Sequence, residues 1–167
     1  MSKQTDFTDQ EWETLRTAPH LVMLSVATAG ASGLFGSLKE AFAPAGAIIE
    51  AAKGNNELLR NICDREELKA AQKSLRSSIK MSGDLESLRD RLQTSAADKA
   101  REATAVLKQK GSAEDLDAYR KLLVDIADRT AKAAKEGGFL GFGGEWVSEG
   151  ERAVISRISQ ALGVQTS

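Results

Sequence analysis

The sequence is poor in the residues from which most metal and catalytic sites are built. It has one histidine, His20, and one cysteine, Cys63, in 167 residues. A lone cysteine excludes an internal disulfide, and a lone histidine excludes the Glu-x-x-His pairs of a di-iron helical bundle. We therefore expect no catalytic residue and no cofactor. Cys63 is predicted to be a buried, inert thiol, and His20 to lie at a helix start or at an interface.

A net charge of one sign is also missing. The chain has 23 basic and 24 acidic residues, so no overall field attracts it to nucleic acid or to an anionic membrane. The first residues lack the basic, apolar and small-residue order of a signal peptide. We expect a protein of the reducing cytoplasm that does not bind a specific nucleic acid.

One local charge pattern leaves two interpretations open. Lys69, Lys73, Arg76 and Lys80 recur at helical spacing, which places four cations on one face. Such a face could contact phosphate groups, but aromatic stacking residues are absent nearby. A solvated face that pairs with neighbouring acids is the interpretation that the sequence favours.

The sequence has no long hydrophobic run. The longest uncharged segment, residues 17–38, has 22 residues, but three of them are glycines and its strongly apolar part, "LVMLSV", is six residues long. This composition predicts a buried helix followed by a turn and no membrane span.

Aromatic residues make up 5% of the chain, and alternating apolar and polar strand patterns are absent. The sequence predicts an all-α fold in one domain over residues 1–167, a bundle of five or six helices.

Thr8 and Glu11 are predicted to form a capping box for the first helix, with Phe7 packed against Trp12 as a hydrophobic staple. Pro19 is expected to end this helix near Thr17 or to restart it.

The middle of the chain is predicted to contain shorter helices. One runs over residues 34–53 with Pro44 inside it and a kink near Phe42. Another covers "NNELLRNIC", and a third continues to about Met81. Asp64 and Glu67 are expected to form a capping box for the third.

Two long periodic segments predict an antiparallel hairpin at the centre of the bundle. Over residues 84–110 and 112–136 the apolar positions recur at steps of three and four, and only "KQKGS" separates the segments. The second segment contributes the seam Leu116, Tyr119, Leu123, Ile126, Thr130 and Ala133. A last helix is expected from Ser148 to Leu162, with Glu151 completing its capping box and Gly163 ending it.

Between the hairpin and the last helix lies "GGFLGFGGEWVSEGE", residues 137–151, with six glycines and three large aromatics. It matches no phosphate-binding loop, because a helix precedes it and no lysine follows. We predict an apolar plug in which Phe139, Phe142 and Trp146 cover a protein surface. The stretch from Gly30 to Gly36 repeats the spacing of Gly137 to Gly143 and adds Phe35 to the predicted interaction residues; a true internal repeat is left open.

Two family resemblances rest on short motifs. The start "F-T-x-x-E-W-x-x-L-x-x-A-P", from Phe7 to Pro19, resembles a bacterial all-helical family. The order from Ala131 to Gly163, a helix, an acidic-glycine turn and Ser-x-x-Glu before a last helix, resembles TerB-like tellurite-resistance proteins. This second resemblance implies acidic metal binding, with Glu136, Glu145 and Glu151 as the positions concerned, although the turn is longer here and Glu136 replaces the family's aspartate.

These observations favour a non-catalytic helical bundle that acts in protein interaction or assembly, as a homo-oligomer. The alternative is a TerB-like stress-response protein that binds a small ligand or a metal. The partner is expected to be another protein or a second copy of the chain.

The predicted plug is tested by Phe142→Asp. If Phe142 covers its own bundle, the substitution lowers the melting temperature, because a charge is then placed in an apolar contact. If it covers a second copy, the oligomer dissociates into helical monomers in sedimentation velocity. Unchanged melting and sedimentation, together with unprotected amides over residues 137–147, would show a flexible tether.

Overall fold

The computed structural model describes residues 2–29, 46–80, 85–136 and 149–164. Within these ranges the chain forms seven α-helices and no strand, so the all-α prediction is confirmed. The number exceeds the five or six helices expected. In chain order the helices are α1 (Asp9–Ala29), α2 (Gly46–Lys53), α3 (Glu57–Ile62), α4 (Arg65–Lys80), α5 (Leu85–Lys110), α6 (Ala113–Glu136) and α7 (Glu149–Leu162).

Helix α1 begins as predicted. The Thr8 amide donates to Glu11 Oε2 at 2.7 Å, and the Glu11 amide donates to Thr8 Oγ1 at 3.3 Å. The rings of Phe7 and Trp12 lie 6.0 Å apart between centroids. The capping box and the hydrophobic staple are therefore both confirmed.

The prediction that Pro19 interrupts α1 is wrong, because the helix continues through it to Ala29. Proline has no amide hydrogen, so the Leu15 carbonyl, four residues earlier, loses its helical donor. The hydroxyl of Tyr119 on α6 donates to that carbonyl oxygen at 2.8 Å. Both residues are fully buried. A side chain from another helix thus replaces the missing backbone hydrogen bond.

Helix α1 lies at the centre of the described helices, where the central hairpin was expected. It is in contact with α4, α5, α6 and α7, and 14 of its 21 residues are buried. Its buried hydroxyls bond to carbonyls of the same helix: Ser25 Oγ to Val22 and Thr28 Oγ1 to Leu24, at 2.8 and 2.9 Å. This self-pairing allows polar residues in the segment that resembled a membrane span.

Helices α5 and α6 pack more extensively against α1 than against each other. The buried face of α5 consists mostly of small residues, which allow close approach to α1: Leu92, Ala96, Ala97, Ala100, Ala103 and Leu107. On α6 the predicted seam is buried at Tyr119, Leu123 and Ile126, while Ala133 is exposed. The seam thus leaves the core before α6 ends.

Helix α7 completes the central bundle and is in contact with α1, α5 and α6. Gly150 lies against the end of α1, where a Cβ atom would approach the Ala29 carbonyl oxygen to 2.7 Å. A side chain at residue 150 would therefore separate the two helices. As predicted, α7 ends at Gly163, whose φ of 68° suits glycine.

The three shorter helices cover the bundle. Glu67 of α4 accepts from Trp12 Nε1 at 3.0 Å and pairs with Arg16 at 2.7 Å. Glu67 therefore does not form the predicted capping box with Asp64, whose carboxylate accepts from the Glu66 amide instead. Helix α3 begins as expected, with Asn56 accepting from the Leu59 amide. Helix α2, Gly46–Lys53, is the last part of the helix predicted over residues 34–53; residues 34–45, with the kink expected near Phe42, lie outside the described residues.

The hydrogen bond at Pro19 gives a test of this architecture. Tyr119→Phe leaves the buried Leu15 carbonyl without a donor and is expected to cost about 1–3 kcal/mol in urea unfolding. In a Pro19→Ala background the cost should be smaller by about 1 kcal/mol, because the Ala amide supplies the helical bond. Thr130→Val, which removes a hydroxyl bonded within α6, should show no such coupling to Pro19→Ala. Equal costs in both backgrounds would show that Tyr119 does not compensate for the proline.

Candidate functional site

The four aromatic residues predicted to make an interaction surface lie outside the described residues. They are Phe35, Phe139, Phe142 and Trp146. The glycine-rich stretches that contain them, residues 30–36 and 137–148, are also outside the described residues. Their role remains a prediction.

Of the three acidic positions implied by the TerB-like resemblance, Glu151 is the one whose side chain the structure describes. Glu151 is buried on α7 with 5% of its surface exposed. Glu145 and the side chain of Glu136 are outside what the structure describes. Within the described part of the chain, no three His, Cys, Asp or Glu side chains converge as metal ligands do.

His20 lies where the sequence did not place it. It is in the interior of α1 and fully buried, not at a helix start or an interface. Neither ring nitrogen has a hydrogen-bond partner among the described residues. Burial lowers the pKa of His20 to about 4, so the imidazole is neutral at physiological pH.

Cys63 is buried, as predicted, with 1% of its surface exposed. Burial raises the pKa of its thiol to about 12, which removes the thiolate that a nucleophile needs. Burial and the neighbouring Cys63 also raise the pKa of Tyr119, the residue bonded to Leu15. The Cys63 thiol and the Tyr119 hydroxyl therefore have a structural role in the protein core.

The basic face of α4 forms a shallow surface depression of about 370 Å³. Its lining residues are Lys69, Gln72, Lys73, Arg76 and Ser77. Lys69 pairs with Glu66 at 2.7 Å, and both side chains are more than half exposed. This pairing agrees with the solvated-face interpretation.

The larger concave surface is a groove of about 610 Å³ along α6, which we call the α6 groove. It is lined by Asp117, Arg120, Lys121, Val124, Asp125, Asp128, Arg129 and Val164. Since Tyr119, Leu123 and Ile126 of α6 face the core, the groove occupies the opposite side of the same helix. Val164 reaches it from the end of α7.

Ion pairs fix one end of the α6 groove. Arg129 forms two hydrogen bonds to the Glu50 carboxylate, both at 2.8 Å, and a third to Asp125 Oδ1 at 2.9 Å. These contacts raise the pKa of Arg129 and lower that of Glu50. At the other end, Arg120 approaches Asp117 only to 3.7 Å.

A buried carboxylate anchors the start of α6 next to the groove. Asp115 Oδ2 accepts from the backbone amide and the hydroxyl of Ser2, both at 2.8 Å. Asp115 Oδ1 accepts from the side-chain Nδ2 of Asn56 at 3.0 Å. The Ser112 hydroxyl accepts from the Asp115 amide. Burial raises the pKa of Asp115, but the hydrogen bonds from Ser2, Asn56 and Ser112 outweigh it and bring the pKa to about 2.

Neither the α6 groove nor the role of Asp115 was predicted from the sequence. The groove had a detectable signal, since charged residues of both signs recur at steps of three and four on the side of α6 opposite its apolar seam. The sequence signal for Asp115 was weaker. It consisted of the position of Asp115 three residues after Ser112, at the start of the helix.

No helix in the described ranges combines the length and the apolar character that crossing a bilayer requires. Comparison with protein families, curated proteins and solved structures gives no match for this chain. The two family resemblances therefore remain predictions.

Asp115 provides a test by pH. Its folded pKa of about 2 lies below the ordinary 3.8, so its contribution is complete above about pH 4 and is lost as the pH falls through 2. Asp115→Asn is expected to reduce the free energy of unfolding by about 1–3 kcal/mol at neutral pH and to flatten its decline between pH 4 and 2.

Two features make this test specific. His20, with its lowered pKa, weakens the fold between about pH 6.5 and 4, so its effect precedes that of Asp115. Asp117→Asn is the control, because the Asp117 side chain is 78% exposed. An acid decline that is equally steep in Asp115→Asn and in the native chain would contradict the assignment.

Proposed function

We propose that this chain is a non-catalytic helical bundle that acts in protein interaction and assembly, and that it forms a homo-oligomer through the α6 groove. The observation that carries the proposal is the groove itself, the larger of the two concave surfaces described above.

The chemistry of the groove favours a protein partner. Six of its eight lining residues are charged, three of each sign, and Val124 and Val164 supply the apolar part. Pockets for small molecules are mostly apolar with few polar groups, whereas protein interfaces combine an apolar centre with a polar rim. Val164 is one of two large hydrophobic side chains that are exposed in the described part of the chain, with 37% of its surface accessible.

The surface is also held in place before a partner binds. Arg129 is fixed by Glu50 of α2 and by Asp125, and Asp115 ties the start of α6 to Asn56. Ordering a surface in advance reduces the entropy that association costs. We propose that α5 and α6 form an antiparallel hairpin that supports this surface, and that Phe139, Phe142 and Trp146 extend it beyond the end of α6.

The alternative function is a TerB-like protein that binds a small ligand or a metal through Glu136, Glu145 and Glu151. Metal analysis of the purified protein separates the two proposals. A stoichiometric metal that Glu151→Gln removes would favour the alternative. For the assembly we propose the cytoplasm, where the free thiol of Cys63 stays reduced.

Assembly through the groove is tested by sedimentation velocity over a wide range of protein concentration. The native chain is expected to form an oligomer that dissociates on dilution. Val124→Glu should shift the equilibrium to a helical monomer, because it places a charge at the centre of the contact.

Ile49→Glu is the matched control, since Ile49 is 42% exposed on α2 and does not line the groove. A native chain that stays monomeric at every concentration would overturn the proposal. Equal loss of assembly in both variants would place the contact elsewhere.

A further inference from the structure

One stripe along α6 has an ordered sequence of charges, and four of its five residues line the α6 groove. Asp117, Lys121, Val124, Asp128 and Lys132 follow one another at steps of four, three, four and four, so they share one face of the helix. Their order is acidic, basic, apolar, acidic, basic. All five side chains are exposed or half-buried. We call them the α6 stripe.

The α6 stripe is complementary to its own reversed copy. When a second stripe runs antiparallel and the pairing is centred between Val124 and Asp125, Asp117 lies opposite the partner subunit's Lys132. Lys121 then lies opposite the partner subunit's Asp128, and the two valines meet at the centre. A parallel alignment instead places every charge opposite the same charge, which is unfavourable.

We propose that the partner in the α6 groove is a second copy of this chain, with the two α6 helices antiparallel about a two-fold axis beside Val124. The inference rests on the proposed function and adds the identity, direction and register of the partner. A two-fold axis requires a surface that is complementary to itself, which is the property that the stripe has.

The charges of the stripe are available for this contact. Lys121, Asp128 and Lys132 form no ion pair with another described residue. Asp117 is 78% exposed and approaches Arg120 only to 3.7 Å. Arg129 lies next to the α6 stripe and is not part of it. Its ion pairs with Glu50 and Asp125 are unaffected by the proposed contact.

The two-fold axis generates each ion pair twice, so the contact has four pairs around one apolar centre. Exposed ion pairs each contribute little and are screened by salt. The expected dimer is therefore weak, and its dissociation constant rises with ionic strength.

Charge exchange tests the register. Lys121→Glu or Asp128→Lys alone places like charges opposite each other twice per dimer. Each is expected to raise the dissociation constant by at least about tenfold in sedimentation equilibrium at low salt. The double variant Lys121→Glu/Asp128→Lys restores opposite charges and should return the constant to near the native value. Lys108→Glu, an exposed lysine on α5, is the control and should have no effect.

A crosslink tests the centre of the contact. Val124→Cys should form a disulfide-linked dimer under mild oxidation, because the introduced thiols meet at the axis, while Cys63 is buried and does not compete. Lys108→Cys should remain monomeric on a denaturing gel. Circular dichroism checks that each variant is folded.

The outcomes separate this inference from the proposed function. A monomeric native chain would overturn both. An oligomer that survives the single charge changes, or that the double variant does not restore, would overturn the antiparallel pairing and leave assembly through another surface. Recovery in the double variant together with the Val124→Cys crosslink would support the pairing.

Discussion

The hydrogen bond from Tyr119 to the Leu15 carbonyl is the contact on which the architecture depends. A proline in the middle of a buried helix leaves one buried carbonyl without its helical donor, and a buried carbonyl without a hydrogen bond is costly. The donor comes from a residue 104 positions later in the chain, at 2.8 Å. This bond lets α1 continue past Pro19 through the centre of the bundle, and it fixes which side of α6 faces inward.

The orientation of α6 then determines which residues remain for function. Once Tyr119 and Leu123 face α1, helical periodicity turns Asp117, Lys121 and Asp128 away from the core. Asp115, tied to Ser2 and Asn56, fixes the start of the same helix. The α6 groove is therefore a consequence of core packing. Its charged residues lie on the side of α6 that is exposed to solvent, where a charged group keeps its hydration.

Features that depend on neighbours in sequence could be predicted, and features that depend on distant partners could not. The Thr8 and Glu11 capping box and the end of α7 at Gly163 involve residues a few positions apart, and both were found. Pro19 and Glu67 were misassigned because Tyr119 and Trp12 meet them only after folding, 100 and 55 positions away along the chain. The burial of His20 likewise depends on α1 being surrounded by other helices. The α6 groove also depends on Glu50 of α2, which pairs with Arg129, and on Val164, which follows α7, although the charge pattern of α6 was visible in the sequence.

The direction of the proposed pairing also bears on the aromatic segment that follows α6. In the antiparallel register, with Asp117 opposite the partner subunit's Lys132, the end of each α6 at Glu136 lies opposite the start of the other near Ala113. The chain that leaves Glu136 therefore starts beside the partner's α5–α6 turn, and the two copies leave the contact at opposite ends. The predicted plug and the proposed stripe therefore concern the same interface: the stripe sets its direction and register, and the prediction for Phe139, Phe142 and Trp146 is that they add apolar area to it.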